Sequence, residues 1–479
     1  MQKIMICVWL LAYSLNYCIA QNKITMPGGK TVTPRSIDAI VQKLMDTAEV
    51  TGICIGVVNN NKPVYIKGYG FKNKFRQQKN DTATCFYAAS LAKSLFGYLV
   101  LQLADKGKID LDKPLYTYLP KPMPDYENYK DLAGDERWKL ITARHCLSHT
   151  TGFPNWRQYD NPHQNNKLEF FFTPGAFYAY SGEGIQLLQM VVETITHRNL
   201  EDLAQEYIFK PFGMRRTSFV WQPAFEQNYA VGHNMNEDTL PKRKSTEAYA
   251  AGSMETTIAD YTRFIAAVMK GERLAEKTKL NMLSPQISIK YNPYVLPPVV
   301  ADSIAEYQSV QLAYGLGWGL FNTMYGKAFF KEGHIDGWEH YCVAFPGEKT
   351  AYVIMTNSSN GESVFKELVE KLAGVTIPWQ WEHYIPYRST AKLTRHQLQA
   401  FTGEYEGRLK FTVTLEEGKL KVASTTVGLP KTTIYPQNDH HLFLKIMEAD
   451  FEFVKGPDGR FIKVVADDEG EHYELHKVK

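Results

Sequence analysis

The sequence lacks a dominant charge. Its 54 Lys and Arg stand against 51 Asp and Glu, a formal net charge of +3 at pH 7, so there is no electrostatic footprint for nucleic acid or another polyanion. It also lacks low-complexity tracts, runs of like charge and an internal repeat, which argues against disordered tails and solenoid arrays. Cysteine is scarce, and none of the six forms a CxxC pair, so zinc-ribbon and dithiol redox readings are weak. Cys54 in GICIGVV and Cys342 in HYCVAF lie in strand-like stretches and read as buried thiols. With Cys85 and Cys146 they leave one disulfide open in an oxidising compartment. Apolar runs long enough for a stable membrane span are missing too. The N-terminal MQKIMICVWLLAYSLNYCIAQ has one early cation, Lys3, a short apolar run and then Cys18-Ile19-Ala20. Residues 1–20 therefore read as a signal peptide cleaved after Ala20, with export to the periplasm or the medium. Lipid anchoring at Cys18 is the weaker alternative, because Tyr17 is bulky where a lipoprotein signal takes a small residue.

What is present is globular. Hydrophobic residues make up 44% and aromatics 13% of 479 residues, enough for a sizeable core and too long for a single one, so two or three domains are expected. Helix-period apolar positions run through 36–48, 182–196, 257–269 and 362–374, and a further helix is expected from Ser90 through Ala104 with Gly107 as its stop. GICIGVV, the polar turn NNNKP and VYIKGYGF read as a β-hairpin; YGLGWGLF, GWEHYCVAF and TAYVIMTN read as late strands. The stretch 110–180 is rich in Pro, Gly, Asn and aromatics with only short helical patterns. This order predicts an α+β fold, an α/β sandwich. Its antiparallel sheet, built from both chain ends, is flanked by helices and interrupted by an inserted helical region, over residues 21–376. A linker is expected over 377–392, and the short alternating strands of 393–479 predict a small all-β barrel domain.

One stretch raises a chemical question. In CFYAASLAKSLFGYL (85–99), Ser90 stands three residues ahead of Lys93 among small and aliphatic side chains. On a helix these positions share a face, and a lysine held away from water shifts toward the neutral amine, which can take the hydroxyl proton. The Ser90 hydroxyl would also lie at a helix start, where backbone N–H groups meet a developing oxyanion. Alone, SxxK is common by chance, and its plain reading is an N-cap serine with a solvated lysine.

Further phrases follow in order: ITARHCLSHTTGF (141–153), TPGAFYAYSGEGIQLLQMVVE (173–193), AAGSMETTIADYTRF (250–264), YGLGW (314–318) and FKEGHIDGWEHYCVAFP (330–346). With SxxK they resemble the serine β-lactamases of the class C type and their D-alanyl-D-alanine carboxypeptidase and esterase relatives, over roughly residues 35–375. In that family SxxK carries the serine nucleophile. The resemblance implies an acyl-enzyme on Ser90, acid–base work shared by Lys93 and Tyr180, and His334 standing where the family carries Lys-Thr-Gly or His-x-Gly. Two departures affect the substrate-binding residues. Gly182, followed by Glu183, stands where the family has asparagine, so a substrate-amide contact is lost unless Glu183 or a water replaces it. Asp336 stands where His-x-Gly has glycine, unless a bulge brings Gly337 there. The Ser90 N–H and an N–H near Gly337 are the expected oxyanion donors.

His145 and His149 have metal-ligand spacing, but Cys146 stands where a zinc protease needs glutamate. They read as a structural pair, and no metal or cofactor is expected. The stretches 393–407 and 415–422 resemble the lipocalin-like appendage of peptidase relatives, which would cap the site, present substrate or mediate homo-oligomer assembly. The reading is an exported serine hydrolase acting on a small-molecule or peptide substrate: D-amino-acid peptides, cell-wall fragments or acyl esters. The alternatives are a true β-lactamase and a non-catalytic binding protein on the same fold.

Overall fold

The structure is a computed structural model that describes residues 23–292, 296–298, 304–378, 388, 390–445, 449–468 and 471–478. The expected signal peptide and most of the expected linker lie outside the described residues.

Thr33 starts the first long helix, α1 (Pro34–Ala48), by accepting from Ser36 N at 3.1 Å, with Pro34 at the first helical position. Its stripe of Ile37, Val41, Leu44, Met45 and Ala48 is buried. A hairpin follows: β1 (Gly52–Asn59) and β2 (Lys62–Asn73), joined by Asn60-Asn61. Both loop residues have positive φ, 49° and 58°, the conformation a two-residue loop between twisted strands needs and asparagine tolerates. The remaining strands of this sheet are β3 (Gln78–Lys79), β4 (Ile287–Ser288), β5 (Ala313–Tyr314), β6 (Gly319–Thr323), β7 (Gly326–Ile335), β8 (Trp338–Phe345) and β9 (Thr350–Thr356). Their order is β3-β2-β1-β9-β8-β7-β6-β5-β4. The N-terminal β1 pairs antiparallel with the late β9, Val58 opposite Ala351 and Ile53 opposite Thr356, so the sheet is built from both chain ends as the sequence predicts.

Helices cover both faces. Ile53, Ile55 and Val57 of β1 share a core with α1 and with α5 (Phe365–Ala373). Cys54 and Val58 face a second core. That core holds α2 (Leu91–Asp105), α3 (Gly182–Thr196) and α4 (Ile258–Lys270). Burial on both faces explains why β1 is apolar without alternation. Gly56 lets α4 lie directly on the sheet, since a Cβ there would overlap Thr262 Oγ1. Every residue of α2 from Leu91 to Leu103 is buried, the signature of a central core helix rather than an amphipathic one. The four cysteines Cys54, Cys85, Cys146 and Cys342 are buried free thiols.

After a short helix, α6 (Arg395–Phe401), closed at its start by a Thr394–Gln397 capping box, the chain forms a second sheet. It comprises β10 (Gly403–Gly407), β11 (Lys410–Glu416), β12 (Lys419–Ser424), β13 (Leu429–Pro436), β14 (His441–Leu444), β15 (Ala449–Lys455), β16 (Phe461–Asp468) and β17 (Glu471–Lys477). Pairing of β10 with β17 closes it into a barrel. Eight strands leave room for side chains inside, and Phe401 of α6 packs there on Phe461 and Phe453, with ring centroids 4.8 and 5.0 Å away. The barrel docks on the first body. Lys421 Nζ donates to Asn236 Oδ1 at 3.3 Å, and Lys445 Nζ donates to Ala48 O at 3.0 Å and stands 3.5 Å from Glu49.

Candidate active site

A strained turn presents Ser90. Ala89 has φ 45°, a left-handed conformation that costs a non-glycine residue about 1–2 kcal/mol. The turn is held by Leu91 N donating to Ala88 O at 3.1 Å and Ala92 N to Ala89 O at 3.2 Å. Ser90 then occupies the N-cap position of α2 without bonding the helix through its hydroxyl. Instead, Oγ accepts from Lys93 Nζ at 2.8 Å. Lys93, one helical turn along the same face, is 2% exposed and also donates to Ala251 O at 2.6 Å. Ser90 itself is half-buried and reachable.

Tyr180 comes from the segment entering α3. Its ring centroid lies 5.1 Å from Lys93 Nζ and 4.7 Å from Nζ of a second, fully buried lysine, Lys331 on β7. The His149 ring packs against it at 4.3 Å, and His149 Nδ1 accepts from Ser181 N at 3.1 Å. Burial, with Lys331 and Lys93 adding to it, holds the His149 pKa well below its usual value. The imidazole is therefore neutral and adds no third charge to the cluster. His145 does other work: its Nδ1 accepts from Thr142 N at 3.3 Å in a capping box. The two histidines thus serve separate structural tasks.

The strand that meets the nucleophile differs from the expected one. A Cβ on Gly333 would stand 2.7 Å from Ala88 O and 3.2 Å from Leu91 N, so β7 passes the Ser90 turn at Gly333. Pairing with β6 ends at Phe330, and β7 continues past the Ser90 turn. Lys331-Glu332-Gly333 is a Lys-x-Gly sequence lying three residues ahead of the triplet His334-Ile335-Asp336. Both triplets are visible in the sequence, and the histidine one fits the same pattern. Lys331 also stands 3.4 Å from the Glu332 carboxylate.

The register of the β7–β8 hairpin places three of the expected site residues away from the Ser90 turn. His334 pairs with Glu339 and Ile335 with Trp338, so Asp336-Gly337 is the two-residue loop, with Gly337 at φ 84°. There Gly337 N donates to Ser359 Oγ at 2.7 Å, and Ser359 Oγ donates to Asp336 Oδ1 at 2.8 Å. Both groups are engaged at the hairpin tip, away from Gly333. The His334 side chain points to the strand face opposite Gly333. It is 64% exposed, with Nδ1 2.7 Å from Glu339 Oε1. One ligand atom each from His334, Glu339 and Glu362 lie within 4.8 Å of one another, which makes these the group among the described residues able to hold a metal ion.

The other departure also has a structural reason. Gly182 N meets Asn155 O and Oδ1, each at 3.1 Å. A Cβ on Gly182 would be 2.7 Å from Cζ2 and Cη2 of Trp156, so an indole occupies the space of the missing side chain. Glu183 does not substitute. Its two oxygens take Arg157 Nε at 2.9 Å and the Arg157 terminal nitrogen at 2.7 Å, and the carboxylate is buried. Trp156 was missed because it lies in the stretch without periodicity; its ring stands 5.7 Å from Lys93 Nζ.

A family model described as Beta-lactamase matches residues 37–375. Among curated proteins, the putative penicillin-binding protein PbpX of Bacillus subtilis (strain 168) is 25% identical over 252 residues, half of this chain and 61% of its own length. The chain thus spans under two thirds of that relative. Among solved structures, the octameric penicillin-binding protein homologue from Pyrococcus abyssi aligns over 92% of this chain and 99% of its own, with a TM-score of 0.57 and 16% identity. The D-alanine carboxypeptidase AmpC from Burkholderia cenocepacia aligns over 67% of this chain and 93% of its own, with a TM-score of 0.54 and 18% identity.

Proposed function

The chain belongs to the beta-lactamase family, and from that premise we propose that it is an exported serine hydrolase acting on small amides or esters through a Ser90 acyl-enzyme. The observation that carries this reading is the 2.8 Å contact between Lys93 Nζ and Ser90 Oγ, made by a dry amine at the start of a buried helix. A solvated lysine over an N-cap serine would show neither feature.

With the amine neutral, the same contact runs in reverse, and Lys93 takes the hydroxyl proton as Oγ attacks the carbonyl. Tyr180, within 5.1 Å of Lys93 Nζ at its ring centroid, passes a proton to the leaving group. Lys331 keeps positive potential on the phenol, a role assigned here in place of His334. The oxyanion donors are the Ser90 N–H and a backbone N–H of β7 beside Gly333. Water then attacks the acyl-enzyme, with the same groups acting in reverse order.

The substrate classes this favours are D-amino-acid peptides, cell-wall fragments and simple acyl esters. The relative named as a D-alanine carboxypeptidase supports the first. The chain divides into a hydrolase unit up to residue 376 and a barrel unit from 393, and the octameric homologue supports self-association as one task for the barrel. A fluorophosphonate probe followed by intact mass tests the core of the reading. It should label the wild-type chain at one site and leave Ser90→Ala unmodified; equal labelling of both would remove Ser90 from the mechanism.

A further inference from the structure

Trp156 is held in place by more contacts than a loop aromatic needs. Its backbone N–H donates to Asp160 Oδ2 at 3.0 Å, and the next residue, Arg157, is clamped by Glu183 and by Asn128 O at 2.8 Å. The benzo edge, Cζ2 and Cη2, fills the space a side chain at 182 would use. The ring is 5.7 Å from Lys93 Nζ, and that amine touches Ser90 Oγ. An acyl group joined to Oγ therefore lies within reach of the indole. In the family's arrangement the asparagine at this place holds an amide on the substrate. Here the polar group is gone, the neighbouring carboxylate is locked to Arg157, and an aromatic surface stands instead.

From these contacts, and resting on the Ser90 acyl-enzyme reading above, we propose that Trp156 and Gly182 form an acyl-binding subsite for flat apolar substituents on the carbon next to the scissile carbonyl, rather than for acylamino substituents. A ring face binds apolar and aromatic groups by area and by offset or edge contact, and it cannot satisfy both ends of a buried amide. Glycine at 182 is what admits the indole, so the two positions are one device.

The test compares two esters with the same leaving group: p-nitrophenyl phenylacetate and the p-nitrophenyl ester of N-acetylglycine. They differ in an apolar ring against an amide on the same carbon. Wild-type kcat/KM should favour the phenylacetate by about tenfold or more. Trp156→Ala should reduce that ratio about tenfold, and Trp156→Phe should keep most of it. Gly182→Asn should lower both rates by collision with the indole, and adding Trp156→Ala should restore turnover and move the ratio toward the N-acetylglycine ester. A wild-type preference for the N-acetylglycine ester would overturn the subsite. So would a ratio unchanged in both Trp156 variants. If Trp156→Ala does not fold, the wild-type ratio decides. Hydrolysis of both esters by Ser90→Ala would overturn the nucleophile and the subsite together; flat ratios with inactive Ser90→Ala would overturn the subsite alone.

Discussion

Lys93, Lys331 and Tyr180 form a cluster in which each side chain is probed by a single substitution. Lys93→Ala and Tyr180→Phe should each lower kcat by about 10²–10⁴-fold, the usual contribution of a positioned acid or base, with the melting temperature near that of wild type for Tyr180→Phe. Lys331→Met keeps the buried apolar stem and removes the charge 4.7 Å from the Tyr180 centroid. A loss of about 10²-fold is expected, the scale of one lost electrostatic contact to a reacting group. His334→Ala, whose ring lies on the opposite strand face against Glu339, should cost much less; a larger loss there than at Lys331 would return the role to His334. Ser90 and Lys93 were legible because their contact is three residues long and Tyr180 because a family phrase carries it. Lys331 opens a Lys-x-Gly triplet visible in the sequence, but only strand register distinguishes it from the histidine triplet three residues on. Trp156 was not legible, because its partner at Gly182 lies on another element.

β7 governs the site although its own residue pattern does not announce a strand; the family phrase at 330–346 carries that reading. The long helices at 182–196 and 257–269 were readable from apolar spacing, and the structure places them at Gly182–Thr196 and Ile258–Lys270. β7 contains Lys331 and Glu332 in its middle, so its pattern resembles a surface segment, yet both residues are buried. The strand's distance from the nucleophile turn is set by a missing side chain. Gly333→Ala would place a Cβ 2.7 Å from Ala88 O, which is backbone and cannot swing aside. Displacing β7 by the remaining ångström should cut kcat/KM about 10²-fold. Steady-state kinetics beside thermal melts would check this; an active Gly333→Ala would mean the strand takes no part.

On the scale of the whole molecule, the sequence disclosed two bodies but not how they meet. The contact is polar and scattered over residues with no motif: Glu49, Asn236 and Glu237 on one side, Lys421, Tyr435 and Lys445 on the other. Glu237 accepts from Ser358 Oγ at 2.6 Å and Asn360 Nδ2 at 3.1 Å and also faces Lys74 and Glu49, yet burial raises its carboxyl from 4.5 to about 7. A raised folded-state value means stability present below pH 4.5 and lost as pH climbs through about 7. Lys445, lowered by burial from 10.5 to about 8, contributes above 10.5 and loses that as pH falls through 8, so it is flat across the Glu237 window. His145, His149, His233 and His340 are lowered by burial and act with the opposite sign below pH 6.5, so the Glu237 contribution is read by difference. The melting temperature of Glu237→Gln relative to wild type should rise between pH 4.5 and about 7; a constant difference would place the linkage elsewhere. The same long-range construction governs biogenesis. The centre of the main sheet joins residues 53–58 to 351–356, with the Ser90 helix between them in sequence. Contacts this distant form late and slowly. A nascent chain that has not yet released residues 351–356 lacks the strand that pairs with β1 at the centre of the sheet, so the Ser90–Lys93 pair gains its folded surroundings only once synthesis has passed residue 356.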